Sequence, residues 1–372
     1  MGLQPKNGLN EWVIIMAPGS TTSPLILKKG DITSFIKKLT QILTVYAPVA
    51  KKTQFVFDEI SEGSQLRLDY DTTILPPKKY FIPAKEEMVR FSLSPQFNIT
   101  NPLEEREEAS LWNGKRFVIV GIHSCDLAAI KFHDKILTQV YPDPYRTHRR
   151  ERGIIIGLNC LTPCEESFCK STMTLSSTEG ADLMLTELHD SYYVDVLTET
   201  GQLVIDYTKS LFSSASKEQS KSVEQFLTSR EDTFPDLIPE FEKLPEQLQA
   251  GYEGEMWARL GNRCFGCAAC TLVCPTCFCF DVKDRVELDL NQGSRVRIWD
   301  SCQLVDFALV AGGHNFRPTI PSRVRFRIYH KFWIEPEQIQ QIGCVGCGRC
   351  TRTCPADIDM IELLTDIQEG GT

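Results

Sequence analysis

Two cysteine runs toward the C-terminus carry the clearest chemistry in this sequence. Each run has four cysteines separated by two, two and three residues, and a proline directly follows the last cysteine. The cysteines of the two runs are, in order, Cys264, Cys267, Cys270 and Cys274, then Cys344, Cys347, Cys350 and Cys354. Two-residue spacers let three thiolates surround one iron-sulfur cube, while the fourth thiolate points to a second cube. The pattern therefore predicts two 4Fe-4S clusters.

The same spacing predicts which cysteines bind each cluster. Each cluster takes three thiolates from one run and its fourth from the other run. The first cluster is then held by Cys264, Cys267, Cys270 and Cys354, and the second by Cys274, Cys344, Cys347 and Cys350. The alternative is a pair of zinc sites, but zinc uses two cysteine pairs well apart and does not need four evenly stepped cysteines closed by proline.

Four further cysteines lie in the N-terminal part of the chain, at Cys125, Cys160, Cys164 and Cys169. The apolar run 116–121 predicts a buried strand, and the spacing of apolar residues over 126–140 predicts a helix after it. The run 153–158 predicts a second, parallel strand that ends at Cys160. Because ligands collect at the carboxyl ends of parallel strands, we expect Cys125 and Cys160 to lie at one edge of the sheet.

These four thiols are candidate ligands of a third 4Fe-4S cluster. Their spacing matches no fixed motif, so a zinc site, buried free thiols and a dithiol that reacts with a sulfur substrate remain as alternatives. The histidines nearby, His123, His133 and His148, and Asp126 form no recognisable triad, and lone histidines are more often structural. We assign them no catalytic role.

Three cysteines and one basic segment fall outside these groups. Cys277, Cys279 and Cys302 are expected to pack as small apolar residues, and no chemistry is assigned to them. The segment 315–331 contains five basic residues and no acidic one. It is either a solvated face or a group of charges that neutralises anionic clusters or docks an acidic partner.

The placement of the cysteines divides the chain into two parts. A polar stretch without cysteines separates them, and segments compatible with helices flank both runs; the segment 322–329 also fits one face of a helix. The predicted fold class is α+β, with an N-terminal α/β domain followed by an alpha-helical ferredoxin-type dicluster domain. We set the domains at 1–250 and 251–372.

Composition excludes several classes of function. The chain has 372 residues, 42% of them hydrophobic, and a formal net charge of -9. Nucleic acids and membrane surfaces are themselves anionic, so neither is an expected partner. The sequence shows no secretory leader and no apolar stretch of the ~18 residues that a transmembrane helix needs. We therefore expect a cytoplasmic protein whose fifteen cysteines bind metal or do redox chemistry.

Several sequence segments together resemble a known family. They are the residues 123–130 (HSCDLAAI), 157–160 (GLNC), 168–169 (FC), 274–279 (CPTCFC), 299–302 (WDSC) and 344–350 (CVGCGRC). From about residue 80 onward the chain resembles the family that contains the beta subunit of cytoplasmic sulfhydrogenases and the iron-sulfur subunit of anaerobic sulfite reductases. The resemblance implies a helical-ferredoxin dicluster domain behind an α/β domain. It also implies two partners: a flavin-containing NAD(P)H subunit, and a nickel-iron hydrogenase or sirohaem sulfite reductase catalytic subunit.

One position departs from the family pattern. Members often have Cys-Phe-Cys where this chain has Ser167, Phe168 and Cys169, with Cys164 three residues before the serine. Cys164 then either replaces the missing cysteine in the possible third site, or the site is lost.

The predicted function is that of an electron-transfer subunit, which moves single electrons between a flavin and the metal centre of a partner and does not turn over substrate alone. The alternative is an enzyme that reduces a sulfur or disulfide substrate at the N-terminal cysteines. A freely diffusing ferredoxin is disfavoured, because such a carrier needs little beyond the cluster fold. No glycine-rich dinucleotide motif follows either predicted strand, so the chain itself is not expected to bind nicotinamide or flavin.

Overall fold

The computed structural model describes residues 23–93, 96–101 and 116–370. The N-terminal residues 1–22, on which the expectation about a leader segment depends, lie outside the described residues. The described part combines helices and strands, and it places a C-terminal group of helices behind a large sheet. Within it, no helix is both long and apolar enough to cross a membrane.

Twelve strands are described, and eight of them form the large sheet. The strands are β1 Leu25–Lys28, β2 Thr44–Lys51, β3 Gln54–Ile60, β4 Lys85–Ser92, β5 Asn98–Thr100, β6 Phe117–His123, β7 Gly153–Leu158, β8 Leu183–Glu187, β9 Ser191–Val196, β10 Phe212–Ser214, β11 Phe280–Val286 and β12 Gln292–Trp299. The large sheet has the order β10-β1-β9-β8-β7-β6-β2-β3. Its centre, β2-β6-β7-β8, is parallel, and the strands on both sides are antiparallel.

Twelve α-helices are described along the same residues. They are α1 Ile32–Thr40, α2 Ser124–Asp134, α3 Pro144–Arg152, α4 Glu199–Thr208, α5 Lys217–Arg230, α6 Leu244–Ala250, α7 Met256–Arg263, α8 Ala269–Leu272, α9 Ile320–Tyr329, α10 Glu335–Ile339, α11 Arg349–Arg352 and α12 Met360–Gln368. A π-helical stretch, Lys135–Val140, continues α2, and another, His330–Ile334, joins α9 to α10.

The strands β6 and β7 are apolar throughout because both faces of the sheet are covered. Val118 and Val120 of β6 pack into one core cluster together with residues of α1 and α4. Ile119 and Ile122 point to the other face and pack with Leu127 of α2. The predicted parallel strands are confirmed, as is the helix that follows the first of them.

The C-terminal helices have a core of their own. Residues of α6, α7, α9 and α12 pack together there, and Tyr329 and Leu364 are among the most buried of them. The helix α9 covers the segment 322–329, as its spacing predicts. Phe168, which belongs to the loop after β7, also enters this core, so the two parts of the chain share buried contacts.

A second sheet joins strands from both sides of residue 250. Its order is β11-β12-β4-β5, and β12 pairs antiparallel with β4 from Gln292↔Ser92 to Ile298↔Lys85. Lys78 makes a further link, since its Nζ donates to the carbonyl oxygens of Cys274 and Cys277, each at 2.7 Å. The division at residue 250 stays a prediction from sequence, and these contacts cross it.

Candidate metal centres

The two cysteine runs have the same backbone conformation. Gly266 and Gly346 occupy the third position of their runs with φ of 61° and 62°, and Ala268 and Gly348 occupy the fifth with φ of 67° and 72°. A one-turn helix follows in each run, α8 in the first and α11 in the second. Positive φ bends the chain so sharply that cysteines separated by two residues turn to one side. The repeated spacing in the sequence is thus a repeated structure.

The first cavity lies beside the first run. Its lining includes five cysteines, which are Cys264, Cys267, Cys270, Cys350 and Cys354. Four of them are the predicted ligands of the first cluster, including Cys354 from the distant second run. The NH of Ile358 donates to the Sγ of Cys354 at 3.4 Å, and the NH of Gly266 donates to the Sγ of Cys264 at 3.3 Å. Such donors stabilise negative charge on sulfur.

The second cavity lies beside the second run. It is lined by the four predicted ligands of the second cluster, which are Cys274, Cys344, Cys347 and Cys350. Cys274 comes from the first run, so the structure brings together the reciprocal sets that the spacing predicts. Cys350 lines both cavities, so the two cavities are neighbours.

Two basic residues of the segment 315–331, Arg327 and Lys331, reach these cavities. Arg323, Arg327 and Lys331 are buried, and Arg327 lines both cavities. The Nε of Arg327 finds no hydrogen-bond partner among the residues that the structure describes. Burial alone would lower the pKa of Arg327, but the surrounding thiols, Cys270 first, raise it well above its usual range. A buried cation with an unsatisfied donor fits an anionic iron-sulfur cluster in the cavity.

Two of the predicted ligand thiols, Cys270 and Cys344, are protonated when no metal is bound. Burial raises the pKa of Cys270 to about 12 and that of Cys344 to about 12. Metal binding requires thiolates, so cluster insertion must release these protons. Among the described residues, no three His, Cys, Asp or Glu side chains are placed to hold a single metal ion.

The four N-terminal cysteines lie next to the second run. Cys125 is in the first turn of α2 and packs with Cys347, while Cys160 and Cys169 share another cluster of buried contacts. The loop that carries Cys169 is fixed to the run, since the NH of Phe168 donates to the carbonyl oxygen of Gly346 at 2.8 Å. Cys125 follows β6 at the start of α2 and Cys160 follows β7, so both lie at the carboxyl ends of neighbouring parallel strands. Cys347, against which Cys125 packs, lines the second cavity.

These four thiols are buried or half-buried, away from solvent. Burial raises the pKa of Cys125 well above its usual range, that of Cys160 to about 12 and that of Cys164 to about 11. A protonated thiol is a poor nucleophile, which disfavours direct attack on a sulfur substrate. Ser167, at the position where the family often has cysteine, donates its hydroxyl to the carbonyl oxygen of Cys164 at 2.8 Å.

A buried ion pair links the two groups of cysteines, and no sequence pattern indicates it. Both oxygens of Asp126 accept hydrogen bonds from Arg349, each at 2.7 Å, and Arg349 also donates to the carbonyl oxygen of Thr73 at 2.8 Å. Asp126 follows Cys125, and Arg349 precedes Cys350. The pair therefore fixes the start of α2 against the second run.

Two of the nearby histidines have structural partners. The ring of His123 stacks on Tyr70 with centroids 4.1 Å apart, and the Nε2 of His133 is 3.0 Å from the carbonyl oxygen of Thr276, to which it donates as the neutral tautomer. Burial lowers the pKa of His123 to about 4 and that of His133 to about 3. Both are neutral at physiological pH, which agrees with a structural role.

Two neighbouring cavities, each lined by cysteines from both runs, define an iron-sulfur protein of the dicluster class. Residues 263–358 match the family model of the 4Fe-4S dicluster domain. The chain is 35% identical over 336 residues to sulfhydrogenase 2 subunit beta of Pyrococcus furiosus, covering 90% of this chain and 96% of that protein. It therefore belongs to the family of the sulfhydrogenase beta subunit, and it is an iron-sulfur electron-transfer protein.

A more distant relative has a related description. The chain is 24% identical over 177 residues to the F420-dependent formate dehydrogenase subunit beta of Methanocaldococcus jannaschii. The match covers 47% of this chain and 38% of that protein. Both relatives are named as beta subunits of oxidoreductases, one a hydrogenase and the other a dehydrogenase.

Proposed function

We propose that this chain relays single electrons between a catalytic subunit, which is a hydrogenase or a sulfite reductase, and a flavin-containing NAD(P)H subunit. The observation that carries the proposal is the pair of adjoining cavities, each lined by three cysteines of one run and at least one of the other. Two clusters at such a short separation form a path for electrons, and the protein sets their insulation and potential. Catalysis then belongs to the partner.

The proposed ligands are the two reciprocal sets. Cys264, Cys267, Cys270 and Cys354 would hold the first 4Fe-4S cluster, and Cys274, Cys344, Cys347 and Cys350 the second. The helices around them support a domain of the alpha-helical ferredoxin type, with α7, α9 and α12 as its core. Bound clusters would supply one-electron chemistry, while Arg327 and Lys331 would compensate their negative charge.

The relay needs a place where electrons enter or leave, and the first cluster offers one. Cys267 is exposed, whereas the other cysteines of both runs are half-buried or buried. The neighbouring Phe265 is exposed as well. A redox partner that covers this surface would approach the first cluster closely. We place this relay in the cytoplasm, where thiols stay reduced and can bind clusters.

A third 4Fe-4S cluster is a second, separate proposal. It is supported by the grouping of Cys125, Cys160, Cys164 and Cys169 at the end of β6 and β7, beside the second run. Cys160 and Cys169 share buried contacts, and Cys125 packs against Cys347 of the second run. Such a cluster would extend the path from the second cavity into the α/β part of the chain.

The experiment is a metal count on protein purified without oxygen. We expect about eight irons and eight labile sulfides per chain if only the two runs bind clusters, and about twelve if the N-terminal cysteines bind a third. Electron paramagnetic resonance after reduction would show interacting clusters. Zinc without labile sulfide would overturn the proposal.

The ligand sets are tested by a matched pair of variants. Cys270→Ser should lose one cluster and destabilise the other, because each cluster crosslinks both runs. Cys277→Ser changes a cysteine outside both sets and should keep the iron content of the wild type. Wild-type iron in Cys270→Ser would contradict the assignment.

A further inference from the structure

The two cysteine runs differ at the second residue after their last cysteine. In the first run Cys274 is followed by Pro and then by Thr276. In the second run Cys354 is followed by Pro and then by Ala356. Cys274 and Cys354 are the predicted ligands that each run gives to the cluster of the other run. A side-chain hydroxyl therefore follows one of these exchanged ligands and not the other.

The hydroxyl of Thr276 lies directly against the sulfur of Cys274. Its Oγ1 is 3.2 Å from the Sγ, and the geometry allows either atom to donate. Both residues are buried, at 1% and 8% exposure, so bulk water does not compete for this contact. At Cys354, by contrast, the Sγ accepts from a backbone donor, the NH of Ile358 at 3.4 Å. The exchanged ligands thus have different donors beside them.

Contacts from the N-terminal part of the chain hold Thr276 in place. The Nζ of Lys78 donates to the carbonyl oxygens of Cys274 and Cys277, each at 2.7 Å. The Nε2 of His133, which lies on α2, is 3.0 Å from the carbonyl oxygen of Thr276. Because these contacts fix the backbone on both sides of the side chain, the hydroxyl stays directed toward the sulfur.

The hydroxyl of Thr276 has one proton and two acceptors within reach. Its Oγ1 is 2.6 Å from the carbonyl oxygen of Gly343 and 3.2 Å from the Sγ of Cys274. The buried Lys331 supplies the other donors, since its Nζ donates to the Oγ1 at 2.8 Å and to the carbonyl oxygen of Gly343 at 2.7 Å. That carbonyl oxygen therefore keeps a hydrogen bond when the hydroxyl proton turns away from it.

Ligation of Cys274 decides the direction of that proton. A free thiol can donate to the Oγ1 of Thr276, but a ligand thiolate can only accept. The contact then persists only if the hydroxyl donates to the sulfur. A hydrogen bond to a ligand sulfur stabilises negative charge on the cluster, and this charge increases when the cluster takes up an electron.

We propose that Thr276 donates its hydroxyl to the Sγ of Cys274 in the loaded protein and thereby raises the reduction potential of the second cluster. The inference rests on the proposed function, because it needs a cluster that is bound by Cys274. The first cluster lacks this hydrogen bond, since Ala356 occupies the corresponding position. Two clusters with the same pattern of ligands would thus have potentials that the chain sets separately.

The experiment is a potentiometric titration of anaerobic protein, followed by electron paramagnetic resonance. Thr276→Val should weaken electron uptake at one cluster about tenfold, which is about 59 mV for one electron, because a hydrogen bond to a charged group is lost. The other midpoint should move much less. Thr276→Ser keeps the hydroxyl and should remain close to the wild type. Thr208→Val is the matched control: it removes a similarly buried hydroxyl that donates within α4, and both midpoints should stay unchanged.

Iron content is measured on every variant, so that a shift in potential is separated from a loss of clusters. Unchanged midpoints in Thr276→Val at the iron content of the wild type would overturn the proposal, and so would equal shifts of both clusters. Thr276→Ala copies the residue of the second run and should show the same shift where valine does not fit. Loss of about four irons in both variants would also overturn it, because the hydroxyl would then be needed to hold the cluster. A wild type without iron would instead contradict the proposed function.

Discussion

Arg327 places one positive charge beside both cavities. It is buried, it lines both cavities, and its Nε lacks a hydrogen-bond partner within the described ranges. A buried charge without a partner is costly, so a protein keeps one where it compensates an opposite charge. Two anionic clusters would supply that charge. The potential of the clusters should therefore depend on this side chain.

We predict that Arg327→Gln lowers the reduction potential of at least one cluster. Without the cation, adding an electron to an anionic cluster is less favourable. At an effective dielectric constant of about 20, a unit charge at ~4 Å contributes about 4 kcal/mol, which is about 170 mV for one electron, and less with distance, so a shift of tens of millivolts up to about 170 mV is expected. Potentiometric titration followed by electron paramagnetic resonance measures it.

Arg327→Lys is the control for this prediction. It keeps the charge and shortens the side chain, so its potentials should lie closer to those of the wild type than the potentials of Arg327→Gln do. Equal iron content in all three proteins separates an electrostatic effect from a loss of clusters. Unchanged potentials in Arg327→Gln, at full iron content, would show that the residue does not set them.

Single residues also show how far the sequence could predict the site. The eight cysteines of the two runs were identifiable because their spacing is local and repeats. Lys78, Asp126 and the inward turn of the basic segment were not, since their partners lie far away in the chain, as with Asp126 and Arg349. Charge alone left open whether the basic segment faces solvent or the clusters. Only the fold brings these groups together.

At the level of structural elements, the two cysteine runs share one backbone conformation but contact different neighbours. A Cβ added at Gly346 would meet the backbone N of Cys169 and the backbone C and O of Phe168, all at 2.6 Å. At Gly266 the nearest atom would be a side-chain nitrogen of Arg323 at 3.5 Å, an ordinary contact. The first run is therefore free to accept a methyl group, while the second is pressed against the loop after β7.

This difference predicts unequal effects of the same substitution. Gly266→Ala should cost about 1–2 kcal/mol, which is the penalty for a side chain at positive φ. Gly346→Ala has the same backbone cost and must also displace the loop that carries Cys169, so its loss of stability should be clearly larger. The midpoint temperature of unfolding and the iron content of anaerobic protein measure the difference. Equal losses would mean that the loop is not fixed to the run.

The elements that sequence reasoning identified are those with strong local periodicity. The strands β6 and β7 and the helix α9 were predicted within a few residues. The sheet β11-β12-β4-β5 was not, because more than half of the chain separates β4 from β12 and exposed strands lack a continuous apolar run. Local patterns identify elements, whereas the pairing of distant strands depends on tertiary contacts.

In the whole molecule, the N-terminal and C-terminal parts are joined at several points. β12 pairs with β4, Lys78 donates to carbonyl groups beside Cys274, and Phe168 lies in the core of the C-terminal helices. Arg349 of the second run pairs with Asp126 of α2. A boundary at residue 250 would cut all these contacts, although it suits the cysteine pattern.

We predict that a fragment of residues 251–372 will be insoluble or poor in iron when produced alone. Its strand β12 would expose the edge that β4 covers, and unpaired edges promote aggregation. Arg349 would also lose its ion pair with Asp126 and its hydrogen bond to Thr73, which fix the second run in place. Iron per chain and size-exclusion chromatography without oxygen measure the outcome, and co-production of residues 1–250 should restore both iron and solubility. A soluble fragment with about eight irons would instead establish the C-terminal part as an independent ferredoxin-like domain, because its clusters would then crosslink the two runs without help from the α/β part.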